Sequence, residues 1–144
     1  MSQVLRESQV MIGIIIAGHG NFASEIISIA ENIMGKQKHL EAVSVEIGEG
    51  EYGLRGKLNA ALETVEVDEA LILSDIFGGS ISNTCLYFAR DKKHIAVVTG
   101  VNLPMVLKVL TYRDNVDLGE LVSLACKGGR DGILDACGLL DRVK

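Results

Sequence analysis

The chain has no tryptophan, three phenylalanines, three tyrosines and a single proline among 144 residues. So few aromatics leave little surface on which nucleic-acid bases stack. Positive charge is also scarce: 14 Lys and Arg stand against 19 Asp and Glu, a net charge of −5. That balance argues against a general binder of nucleic acid or of acidic membrane, which needs a basic face to displace counterions. Cys85, Cys126 and Cys137 are odd in number and form no CxxC pair, so neither a zinc site nor a complete disulfide framework is indicated. They read as small buried hydrophobes in a reducing compartment. The longest apolar run, Val10–Ala17, is about half of the ~18 residues that a membrane span requires. Met1–Gln9 lacks the apolar core of a signal peptide. The expectation is a cytoplasmic protein of one domain, residues 1–144, long enough to hide roughly 70% of its unfolded surface without staples.

What the chain does have is a recurring unit of β-branched run, Gly-containing loop and amphipathic helix. Val10–Ala17 is apolar on both faces, as a strand covered on both sides should be. After Gly18-His19-Gly20-Asn21, the residues Ala23, Ile26, Ile27, Ala30, Ile33 and Met34 recur at helical spacing, and Gly35 suits the stop. Glu41–Ile47 reads as a second strand, followed by a helix with the stripe Leu54, Leu58, Ala61, Leu62 and Val65. Ala70–Ser74 forms a third, running through Asp75-Ile76-Phe77-Gly78-Gly79-Ser80 into a helix that holds Cys85, Leu86 and Ala89. Ile95–Thr99 forms a fourth, after which Pro104 fits the first turn of another helix. Leu118–Lys127 and Ile133–Leu140 read as helices separated by a break at Gly128–Gly132.

Strands alternating with helices predict an α/β fold with a mainly parallel sheet covered on both faces. Ligands in such folds lie outside the carboxyl ends of the strands, where strand order reverses. The unusual loops follow strands one, three and four, so all face that edge. Gly18-His19-Gly20-Asn21-Phe22-Ala23 matches the dinucleotide pattern GxGxxG/A, a weak signal alone. Four strands are fewer than a full dinucleotide fold uses, and no GxxxxGK loop occurs.

The other reading makes His19 itself the chemistry, because a neutral imidazole nitrogen is a competent nucleophile near pH 7. Asp75, at another strand end, is the candidate to fix its tautomer by a hydrogen bond. Gly78, Gly79 and Ser80 lead into a helix whose amides, with the Ser80 hydroxyl, suit an anion. Nucleophile, orienting carboxylate and anion cradle make a site for phosphoryl transfer through a phosphohistidine. Each residue also has a plainer reading: His19 as a surface-loop histidine, Asp75 as a turn former or helix cap, Gly78 and Gly79 as relief of crowding. A hydrolase triad of Ser80, His19 and Asp75 ranks lower, since Gly78-Gly79-Ser80-Ile81-Ser82 lacks the last glycine of a nucleophile elbow. His39 and His94 have no acidic or glycine neighbours of this kind and read as structural or solvated.

The segments IIIAGHGNFASE, SDIFGGSISNT and TGVNLPM, in that order, with GGRDGI after them, resemble the mannose-type enzyme IIA domain of the bacterial phosphoenolpyruvate:sugar phosphotransferase system. The resemblance covers about Met11–Leu134. It implies a sheet in the order 2-1-3-4, and a homodimer completed by an edge strand exchanged between subunits. It also implies that His19 takes a phosphoryl group from the carrier protein HPr and passes it to a histidine of enzyme IIB. Asp75 then corresponds to the carboxylate bonded to the active histidine, and Gly79 and Ser80 to phosphoryl-binding groups. Gly78 beside them, and Asn102 in the third matching loop, are further phosphoryl-binding candidates. The chain departs from the family in having Ile81 where proline is common, a change that bears on the first turn of that helix. No cofactor and no metal are implied, for donor and acceptor are both protein histidines, and contact with the membrane is indirect, through the sugar permease, where sugar choice resides. Ile76, Phe77, Leu103 and Met105 are candidates for an apolar docking rim, with core packing as the alternative for the last two. A related domain that feeds dihydroxyacetone kinase shares the histidine loop, and a noncatalytic regulatory module with the same fold is a third class.

Overall fold

The computed structural model describes residues 11–46, 48–76 and 79–143. Expectations that rested on Met1–Val10, Ile47, Phe77 and Gly78 lie outside these residues. Four strands, β1 (Ile12–His19), β2 (Leu40–Val45), β3 (Glu69–Ser74) and β4 (Ile95–Thr99), form a sheet in the order β2-β1-β3-β4. All three pairings are parallel, as the alternation of strands and helices requires. The helices are α1 (Phe22–Met34), α2 (Glu51–Val65), α3 (Ser80–Ala89), α4 (Leu103–Tyr112), α5 (Leu118–Asp131) and α6 (Ala136–Val143).

Alternation along each strand sends apolar side chains to two cores. Ile12, Ile14, Ile16, Leu71 and Leu73 pack with α1, α4 and α5 on one face. Ile15, Ala17, Ala70 and Ile72 pack with Leu54 and Leu58 of α2 and Ile81, Cys85 and Phe88 of α3 on the other. Each fully buried Leu, Ile or Phe contributes roughly 1.5–3 kcal/mol by leaving water. Because β1 is flanked by β2 and β3, strand order reverses at its end, and the crevice there opens between β1 and β3.

The Gly128–Gly132 segment differs from its reading as a break. Helix α5 runs on to Asp131, and Gly128 and Gly129 are buried within it. A Cβ at 128 would lie 2.8 Å from Lys108 Cβ, and one at 129 would lie 2.9 Å from Met105 Cε. These glycines therefore let α5 approach α4 closely, and that contact outweighs their poor intrinsic helix propensity. No fifth strand is found among the described residues, and the segment after α5 turns helical again at Ala136. Leu139 and Leu140 are exposed on α6, adjacent in sequence rather than alternating as a strand would need. No helix of the described residues is long and apolar enough to cross a membrane.

Candidate active site

The strand ends bring His19 and Asp75 together. Nδ1 of the His19 ring lies 2.7 Å from Asp75 Oδ2, and the same oxygen accepts the His19 backbone N–H at 3.0 Å. Asp75 is itself anchored by its N–H, which donates to the Ala17 carbonyl at 3.1 Å. A carboxylate only accepts, so Nδ1 carries a proton, and in the neutral ring Nε2 keeps its lone pair. The His19 side chain is 61% exposed while that of Asp75 is 14% exposed. The imidazole thus faces outward while the carboxylate bonded to it stays sheltered.

Electrostatics follow from this arrangement. Burial pushes the Asp75 carboxyl upward, but the hydrogen bonds from the His19 ring and backbone outweigh it, and the group lies below its ordinary value. Asp75 Oδ1 and Ser74 Oγ are buried with no hydrogen-bond partner among the described residues. Beneath them Cys85 is fully buried, and burial, with the Asp75 charge, pushes its thiol up to about 11. Cys85 is therefore a protonated packing group and not a nucleophile.

Two glycines make the approach to His19 possible. At Gly18 a Cβ would lie 2.8 Å from the Phe22 ring and 3.4 Å from Asp75 Oδ2. Gly20 adopts a left-handed φ of 54° and donates its N–H to the Val45 carbonyl at 3.0 Å, which turns the chain from β1 into α1. Phe22, which the motif reading passed over, lies at this corner and is exposed. An aromatic residue two positions beyond Gly20 was the available signal.

Helix α3 starts at Ser80 after an extended Gly79 and has no side-chain cap hydrogen bond, and a helix N-terminus favours an anion. Ile81 is fully buried against the sheet, and the helix begins at Ser80 without the proline. Asn102 serves differently from Ser80. Its Oδ1 accepts the Met105 N–H and its Nδ2 donates to the Gly129 carbonyl, both at 3.0 Å. It caps α4 and ties it to α5, holding the third loop. Of the apolar rim residues, Ile76 is exposed, Met105 is core and Leu103 is partly buried against that core.

Fold and site together define a doubly wound α/β domain with an exposed, carboxylate-oriented histidine at the switch point of its sheet. The chain belongs to the mannose-type EIIA family of the phosphotransferase system (PTS), whose sequence profile, described as the PTS system fructose IIA component, matches residues 13–125. The PTS system fructose-specific EIIA component of Bacillus subtilis is 37% identical over 114 residues, covering 78% of each chain. The PTS system mannose-specific EIIAB component of Escherichia coli is 36% identical over 124 residues, which is 85% of this chain but only 38% of that protein. The crystal structure of the PTS component EIIA from Streptococcus agalactiae matches with a TM-score of 0.82 at 28% identity, covering 89% of this chain and 99% of that one.

Proposed function

We propose that the protein is a phosphoryl carrier of a sugar phosphotransferase system, accepting the group from phospho-HPr on His19 and passing it to enzyme IIB. Nε2 of His19 attacks the donor's phosphorus, the donor's N–P bond breaks in line, and its electron pair returns to the donor ring. His19 becomes a cationic phosphohistidine whose Nδ1–H remains on Asp75, so the carboxylate balances the new charge. Positioning and charge stabilisation carry most of such a transfer. Gly79 and Ser80 supply amides and a hydroxyl to the phosphoryl oxygens, with Gly78 beside them, while Asn102 acts at one remove by fixing its loop. The onward step reverses the same chemistry toward the acceptor histidine.

The observation that carries this reading is the 2.7 Å contact of Nδ1 with Asp75, which leaves Nε2 as the free nucleophile on an exposed ring. Membership in the EIIA family supports it, and the sugar-system names of the relatives favour this role over service to dihydroxyacetone kinase. A cytoplasmic homodimer belongs to the same proposal: β4 is a sheet edge, and α6 exposes Leu139 and Leu140. Incubation with phosphoenolpyruvate, enzyme I and HPr is expected to load one acid-labile phosphoryl group, which then moves to IIB. Absence of loading on the wild type overturns the proposal, and loading without onward transfer points to the regulatory class. A thermal shift with NAD(P) or ATP tests the dinucleotide reading, which predicts stabilisation by the nucleotide.

A further inference from the structure

The peptide unit that joins Ser74 to Asp75 is held from both sides. Its N–H donates to the Ala17 carbonyl of β1 at 3.1 Å. Its carbonyl accepts two consecutive N–H groups of the loop after β4, from Gly100 at 2.9 Å and from Val101 at 3.0 Å. The first of these continues the parallel ladder, in which Ser74 pairs with Thr99. The second comes from beyond the end of β4, where the chain folds back toward β3.

Gly100 makes that turn with a left-handed φ of 82°. A Cβ at this position would meet nothing within 4 Å, so it is the backbone conformation, not lack of space, that calls for glycine. Beyond the turn the loop is tied down. Val101 is buried in the same core as Val98 and Met105, and Asn102 bonds to Met105 and Gly129.

The Asp75 side chain has little else to orient it. Oδ2 makes both contacts to His19, while Oδ1 is buried with no hydrogen-bond partner among the described residues. The Ser74 hydroxyl is equally unpartnered, so Ser74 contributes to the site through its backbone. The direction of the carboxylate therefore depends on the peptide that bears it. We propose that Gly100 is a positioning residue for phosphoryl transfer: its left-handed turn clamps the Ser74–Asp75 peptide, which keeps Oδ2 on Nδ1 and leaves the Nε2 lone pair to attack phosphorus. A misplacement of about 1 Å in such a constellation costs up to about a hundredfold in rate. For the transfer step this role rests on the carrier reading above, whereas the tautomer of the His19 ring is set whether or not a donor docks.

Gly100→Asn, Gly100→Ala and Gly100→Val, each in the full chain, test this. Asparagine tolerates a left-handed φ better than alanine does, and β-branched valine tolerates it least. Asparagine is also larger than alanine, so a purely steric effect would reverse their order. With phospho-HPr as donor, kcat is expected to fall by less than about twofold for Asn, about threefold for Ala and about tenfold for Val, with KM unchanged. A heteronuclear spectrum of the neutral His19 ring is expected to show the Nδ1–H tautomer in the wild type and Gly100→Asn, and a mixture of tautomers in Gly100→Val. A loss of stability alone does not move that signature. Wild-type kcat and tautomer in both Gly100→Ala and Gly100→Val overturn the proposal, as does a Gly100→Asn as slow as Gly100→Val, or a loss confined to KM. If circular dichroism shows Gly100→Val unfolded, the order of the Asn and Ala variants decides by the same two measurements. If phospho-HPr fails to load the wild type, the carrier reading falls, and the ring spectra still decide whether Gly100 sets the tautomer.

Discussion

The two ends of the sheet use the same residue types in opposite ways. At the carboxyl ends His19 stands exposed with one ring nitrogen bonded and one free. At the amino ends His39 turns its Nδ1 inward to the Val65 carbonyl, and the buried Arg113 donates to the carbonyls of Lys38 and His39. These side chains close on the fold itself. Burial pulls the Arg113 guanidinium below its ordinary value, while nearby Asp114 pulls it back up. The difference teaches that a histidine near a strand end is left available for chemistry when its partner satisfies one nitrogen and the fold leaves the other bare.

That contrast is broken most completely by His19→Ala, which is expected to abolish phosphoryl loading with no loss of folding, measured by acid-labile phosphate and circular dichroism. At the opposite end Arg113→Met is expected to lower stability by about 2–4 kcal/mol in urea titration, because carbonyls are left buried without donors. Loading by HPr persists in this variant below its melting temperature. Asp75→Asn is expected to slow transfer tenfold or more while the fold remains, since an amide no longer dictates which ring nitrogen holds the proton. An unchanged rate removes Asp75 from the mechanism. His39→Ala is expected to cost about 1 kcal/mol, since it loses a hydrogen bond and keeps a φ of 54°, with phosphoryl loading intact.

The smallest effect concerns pH. Asp75 has a folded value below its unfolded value of about 4, so the stability its charge contributes is fully present above that unfolded value. It is lost as pH falls through the lower folded value. The pH-dependent part of the stability difference between wild type and Asp75→Asn is therefore expected to shrink below about pH 4, as urea titrations across that range measure.

Much of this was legible in residue order. The β-branched runs placed all four strands within a few residues, because a doubly covered strand has no polar face to blur it. The meeting of His19 and Asp75 was legible because strand-to-helix loops of a parallel sheet converge at one edge. The Gly128-Gly129 pair was not, since a glycine that ends a helix and one that admits a neighbour look alike until the neighbour, α4, is in place. Asn102 shows the same limit: spacing put it at the correct edge, but its two bonds to Met105 and Gly129 depend on how two distant helices pack.

The close seam between α4 and α5 has a mechanical consequence. Asn102 grips the Gly129 carbonyl and stands at the head of the loop after β4, so the spacing of these helices sets the position of that loop. A methyl group at 129 would lie 2.9 Å from Met105 Cε, the movable end of a side chain, and 3.5 Å from Asn102 Oδ1. Gly129 thus sits where the packing of two helices meets the loop after β4, so the seam between those helices and the carboxyl edge of the sheet share one contact.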